Sequence, residues 1–161
     1  MMDDFLIEIE YAGLHSRIKR LSDALLYSTR DFYKSEGLDI EPNWNLVFLL
    51  LQKQGTMTIT EISEKLQFSH PAVVKIINKM KKKGYIDTQT DEEDSRKQLL
   101  SLSQKALDKL PVFEMYWEAG IKTTKDLLDD SPDFVEQLKN IEEKLNRENY
   151  KERTLRNLTN K

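Results

Sequence analysis

Between Thr58 and Gly84 the chain carries two helix-start signals only eleven residues apart, and that spacing constrains the fold more than any other feature. In "TITEISEKLQFSHPAVVKIINKMKKKG", Thr58 followed by Glu61 is a capping box, which satisfies orphan amides at a helix start. Ser69 is a second N-cap, with Pro71 in the first turn, where a missing N–H costs nothing. The first helix must therefore end near Leu66, leaving Gln67-Phe68 as a tight connection. Val73, Ile76, Ile77 and Met80 recur at i, i+3, i+4, i+7, so the second helix buries one face. Two short helices joined by such a turn form a helix-turn-helix.

The flanks are punctuated by glycine. Gly37, Gly55 and Gly84 follow the polar helix ends "YKSEG", "LQKQG" and "KKKG", the position of a left-handed helix stop. Leu14, Ile18, Leu21 and Leu25 predict a helix continuing to about Lys34. Another starts near Pro42-Asn43-Trp44 and runs to Gln54; its "LVFLLL" centre is apolar nearly all round and belongs in a core. After Gly84, "YIDTQT" and "QLLSLS" read as two strands joined by Asp91 to Lys97, a hairpin or wing. The rest is helical: about Ser103 to Leu128, interrupted or bent at Pro111, then Ser131 and Pro132 opening a helix to about Asn149. The end, "YKERTLRNLTNK", is expected to fray. The expected fold is mainly α with a small β-hairpin wing, one domain over residues 1–161. A winged helix-turn-helix spans 42–106, helices lie on either side at 1–37 and 107–150, and 151–161 is a tail.

Composition removes several function classes. With 161 residues the chain can bury a core without staples, and without cysteine there are no disulfides, thiolate metal sites or cysteine redox chemistry. The two histidines, His15 and His70, are far apart, so neither a metal nor another cofactor is expected. The start, "MMDDFLIEIE", is acidic and amphipathic, unlike a secretory leader, and the longest apolar run is Leu46 to Leu51. The expectation is a soluble cytoplasmic protein with no membrane partner. Its net charge of −3 conceals a local excess: Ser69 to Gly84 holds five lysines and no acid. That run is either a footprint for DNA or a solvated helix end complementing the helix dipole.

Thr58 to Ala106 resembles the winged helix-turn-helix of MarR-type (multiple antibiotic resistance) regulators. The resemblance rests on "MTITEISEKL", on "FS…VVKIINKMKKKGYI", and on a wing marked by Asp94, Arg96, Leu102 and Ser103. The flanking helices also fit, so it covers essentially the whole chain. Ser63 and Gln67 stand where the family usually has alanine and glycine, and Ala106 replaces a usual glycine; these departures bear on local turn geometry. The resemblance implies a DNA-binding homodimer through the flanking helices, and commonly a phenolic or other aromatic effector.

Sorting the second helix by face gives the candidate contacts. If Val73, Ile76, Ile77 and Met80 point inward, then His70, Pro71, Val74, Lys75 and Asn78 point outward, with Ser69 at the start. Recognition helices read bases mainly with their N-terminal residues. Lysine suits guanine O6/N7, asparagine suits adenine, and an aliphatic group suits the thymine methyl. Lys79 and Lys82, with Lys81 and Lys83, are then phosphate contacts that position without specifying. In the wing, Arg96 is the residue suited to a narrow minor groove, with Asp94 as its tether and Lys97 beside it. Asp91, Glu92 and Glu93 are expected to face solvent. A solvated turn with an incidental Asp–Arg pair is the alternative.

Apolar stripes on the first helix and on the last (Phe134, Leu138, Ile141, Leu145) call either for a second copy or for packing within one subunit. An aromatic group including Tyr33, Trp44, Phe48, Phe113 and Trp117 is either core or the lining of an effector pocket. No P-loop, GxSxG or HExxH is present, so an enzyme is not expected. A winged helix serving protein–protein contact without DNA is a further alternative, and it predicts a neutral or apolar outer face after Ser69.

Overall fold

The structure, a computed structural model, describes residues 3–159. It divides into two compact units, one up to Pro111 and one from Val112 onward, with the boundary inside a helix. The first unit opens with α1 (Phe5–Glu8) and a 3-10 turn, Glu10–Gly13. Then come α2 (Leu14–Ser35), α3 (Trp44–Gln54), α4 (Ile59–Leu66), α5 (His70–Lys82), β1 (Ile86–Thr90), β2 (Gln98–Leu102) and the start of α6 (Gln104–Leu127). Its fold is the winged helix-turn-helix expected from the spacing of caps and stops.

Local chemistry explains each boundary. The capping box of α4 is complete: Glu61 N–H donates to Thr58 Oγ1 at 3.2 Å and Thr58 N–H to Glu61 Oε2 at 2.7 Å. Gln67 ends α4 at φ 55°, a left-handed conformation that glycine adopts more cheaply. Ser69 occupies the N-cap position of α5, but its hydroxyl makes no hydrogen bond to the helix, so the cap is conformational only. Gly84, at φ 76°, turns the chain from α5 into β1, where an L side chain would be strained.

The wing pairs Ile86 with Leu102, Thr88 with Leu100 and Thr90 with Gln98 in antiparallel register. Met57 adds a two-hydrogen-bond bridge to Leu100, tying the strand to the entry of α4. Around it lies the core: Val47, Phe48, Ile62, Val73, Ile77, Met80, Tyr85 and Leu100 are fully buried. Each such side chain removed from water contributes roughly 1.5–3 kcal/mol, so this cluster dominates the stability of the unit. Ile76 is only half-buried, because Val73, Ile77 and Met80 form the centre of the inward face.

The second unit holds the rest of α6, α7 (Phe134–Arg147) and α8 (Tyr150–Thr159). Three sequence expectations change here. Of the interruption or bend expected at Pro111, α6 shows no interruption. Burial of Leu110 and Phe113 on either side offsets the roughly 3 kcal/mol cost of an interior proline. α7 starts at Phe134 with Asp133 as N-cap, because Ser131 to Phe134 is a turn closed by Phe134 N–H on Ser131 O at 3.0 Å. Residues from Tyr150 do not fray. Asn149 and Glu152 cap one another's amides at 3.0 Å, Arg153 donates to the carbonyls of Lys144 and Glu148, and Arg156 pairs with Glu148 at 2.9 Å. The final two residues of that tail lie outside those described.

Candidate nucleic-acid interface

The helix-turn-helix places α5 with one face on the core and the other outside. His70, Pro71, Lys75, Asn78, Lys79 and Lys82 are exposed on it, and Ser69 is exposed at its start. Val74 is half-buried, so less of it is available to a thymine methyl than a fully outward residue would offer. Lys75 and Lys82 hold no ion pair among the described residues. A lysine–asparagine face without acids is thus presented as one surface.

Lys79 is placed differently. Its ammonium donates to both carboxylate oxygens of Glu41, at 3.0 and 2.8 Å, in the segment between α2 and α3. That segment is anchored separately. Tyr85 Oη donates to Asp39 Oδ1, and Lys105 Nζ lies 3.6 Å from Asp39, 4.3 Å from the centre of the Tyr85 ring, and 2.5 Å from Lys83 O. Partial burial pushes the Asp39 carboxyl up, but the Tyr85 hydroxyl and Lys105 outweigh it and leave it below the usual range. Burial and the same carboxylate push the Tyr85 phenol well above its ordinary value. No local sequence signal marks Glu41, Asp39 or Lys105, since their partners lie 20 to 66 residues away.

The wing tip is a built turn. Arg96 Nε and Nη2 meet Asp94 Oδ1 and Oδ2 at 3.0 and 3.3 Å, and Arg96 N–H donates to the same carboxylate at 3.1 Å. Those donors hold the Asp94 carboxyl below its ordinary range. The Arg96 side chain is 89% exposed while Asp94 is 28%, so the guanidinium is fixed at its root and open at its tip. Asp91 is not simply solvent-facing: its Oδ1 accepts from the amides of Glu93 and Asp94, at 2.7 and 3.2 Å, and so shapes the turn. Beside the wing, Arg96, Lys97 and Gln98 face Thr58 to Glu61 across an open cleft of about 510 Å³.

The aromatic residues are placed in closed packing. Tyr33, Trp44 and Phe48 are buried in the first unit, where Trp44 and Phe48 meet Tyr85 edge-on at 6.2 and 5.5 Å. Phe113 and Trp117, one turn apart on α6, are buried with ring centres 5.9 Å apart.

Residues 38–97, the segment that contains this interface, match the MarR family. That segment is similar to the winged helix of the MarR family. Over 88 residues the chain is 28% identical to the HTH-type transcriptional regulator PapX of Escherichia coli. The match covers 55% of this chain and 54% of PapX, so about half of that relative's length is spanned. In fold, the chain is similar to a MarR protein from Peptoclostridium difficile (TM-score 0.71, 19% identity), over 94% of this chain and 99% of that one. It is also similar to a mutant MarR from E. coli solved with operator DNA (TM-score 0.64, 19% identity), over 89% of this chain and 99% of that one. A third likeness is to an organohalide-sensing transcriptional regulator in its 2,4-dichlorophenol-bound form (TM-score 0.71, 19% identity), over 92% and 87%. The chain is therefore similar in fold to these MarR proteins along most of its length.

Proposed function

We propose that this protein is a sequence-specific DNA-binding transcriptional regulator, acting in the cytoplasm as a repressor on a pseudo-palindromic operator bound by a homodimer. The observation that carries the reading is the exposed, acid-free face of α5, with Lys75 and Asn78 presented together and Arg96 held on the wing. A protein-docking winged helix has no use for that charge. Repression follows from occupancy: a regulator that covers a promoter needs no further contact to silence it. The homodimer is supported by the exposed stripes on α2 and α7, since a twofold dimer sets two recognition helices one DNA turn apart.

Ser69, His70, Pro71, Val74, Lys75 and Asn78 are assigned to the bases and nearby backbone, and Lys82, Asp94, Arg96 and Lys97 to backbone and minor groove. Release by a small aromatic compound is part of the proposal. Its support is the likeness in fold to the dichlorophenol-bound regulator. Tyr33, Trp44, Phe48, Phe113 and Trp117 are the candidate contacts; all five are buried, so a ligand must open existing packing to reach them.

Selection of binding sites from random duplexes tests the reading. The wild-type protein should return one palindromic motif. Asn78→Ala should weaken binding by about 1–3 kcal/mol and relax one position in each half-site, whereas Lys82→Ala should weaken all sequences alike. No enrichment of any motif would overturn it.

A further inference from the structure

Lys79 stands apart from the other lysines of α5 because it already has an anionic partner. Helical geometry, at about 100° per residue, puts Lys75 and Lys82 near the centre of the outer face and Lys79 on its flank. On that flank lies Glu41, whose two carboxylate oxygens take the ammonium at 3.0 and 2.8 Å, much as two phosphate oxygens would. The pair is not what holds the segment in place. Ile40 is buried, and Asp39 is bound to Tyr85 and Lys105, so residues 38–42 are fixed without Glu41. A carboxylate placed by an independent anchor against a basic residue of a recognition helix acts on that residue's charge.

We propose that Glu41 masks Lys79 from DNA, withholding one phosphate contact per subunit and so lowering affinity for duplex of any sequence. The inference rests on the DNA-binding reading above. It assigns Glu41 a role in discrimination. A backbone contact strengthens every site alike. Withholding it leaves the base contacts of Lys75 and Asn78 a larger share of the total.

The test uses the full chain and its Glu41→Gln, Lys79→Gln and doubly substituted variants, each checked for an unchanged melting curve. Each is titrated against a labelled duplex of arbitrary sequence across a salt series. Glu41→Gln is expected to tighten binding about three- to tenfold at low salt. It should also steepen the dependence of log affinity on log salt by roughly 0.9 per subunit. Lys79→Gln alone should bind no more tightly than wild type, and the double variant, with neither charge present, should bind like wild type. An unchanged or weakened Glu41→Gln overturns the mask, as does a loss of salt slope in Lys79→Gln alone. So does a gain that persists in the double variant, which would reduce Glu41 to general repulsion. Failure of both wild type and Glu41→Gln to bind any duplex overturns the DNA-binding reading itself.

Discussion

Ser63 is buried on α4, and its hydroxyl has no hydrogen-bond partner among the described residues. A buried, unsatisfied hydroxyl costs about 1–3 kcal/mol, and alanine at this position removes it without leaving a large cavity. Ser63→Ala should therefore raise stability by about 1 kcal/mol, read as a higher urea midpoint at unchanged slope. At the wing, the tether between Asp94 and Arg96 makes an opposite and less intuitive statement. Arg96→Ala should weaken operator binding and lower the salt slope by roughly 0.9 per subunit. Asp94→Ala should also weaken it, although a negative charge is lost, because the guanidinium then loses its two-point hold. Tighter binding by Asp94→Ala would show that charge count governs the wing.

Among elements, the junction of α5, β1 and α6 is held by side chains from distant parts of the chain. Ser103 Oγ donates to Gly84 O at 2.6 Å and accepts from Ala106 N–H at 3.1 Å, capping α6 while closing the turn after α5. Asp39 brings the segment before α3 to the same place through Tyr85 and Lys105. Because the Asp39 carboxyl is lowered on folding, its ionised form stabilises the fold above its unfolded value of about 3.8, and that contribution is lost as pH falls. Asp39→Asn should cost about 1 kcal/mol at neutral pH, allowing for the partial exposure of the pair. Thermal melts of both proteins should start to converge below about pH 4 and meet only at lower pH, where the lowered carboxyl of the folded wild type is also neutral. A difference that stays constant through that range would mean the loss is one of shape, not charge.

For the whole molecule, what stands out is apolar surface left in water. Leu14, Ile18, Leu21 and Leu25 run along α2, each about half exposed. Phe134, Leu138, Ile141 and Leu145 do the same on α7, a helix with no buried residue. Contiguous stripes of this kind mark association surfaces in soluble proteins. The chain should sediment as a species of twice its 19.0 kDa mass. Ile141→Glu with Leu145→Glu should give a folded monomer with strongly reduced operator affinity, and removal of residues 131–161 should give monomers or insoluble protein. A doubly substituted chain that remains dimeric and binds fully would move the interface away from α7. No helix among the described residues is long and apolar enough to cross a membrane, so these stripes are not spans.

The sequence by itself determined the elements whose signals are local. A capping box acts over three residues, a glycine stop over two, and an apolar face over seven, so α3, α4, α5 and the wing could be placed from Pro42 to Ser103 before any packing was known. The Asp94–Arg96 pair was equally accessible, being two residues apart. Where the reading failed, the deciding energy came from elsewhere in the fold. Pro111 stays helical because Leu110 and Phe113 are buried beside it, and α8 forms because Arg153 and Arg156 tie it to the end of α7. Tertiary structure alone put Glu41 on Lys79 and Asp39 on Tyr85. Their separations of 38 and 46 residues leave no periodicity or motif to read, and a hydrogen bond between distant residues exists only after the core has brought their backbones together.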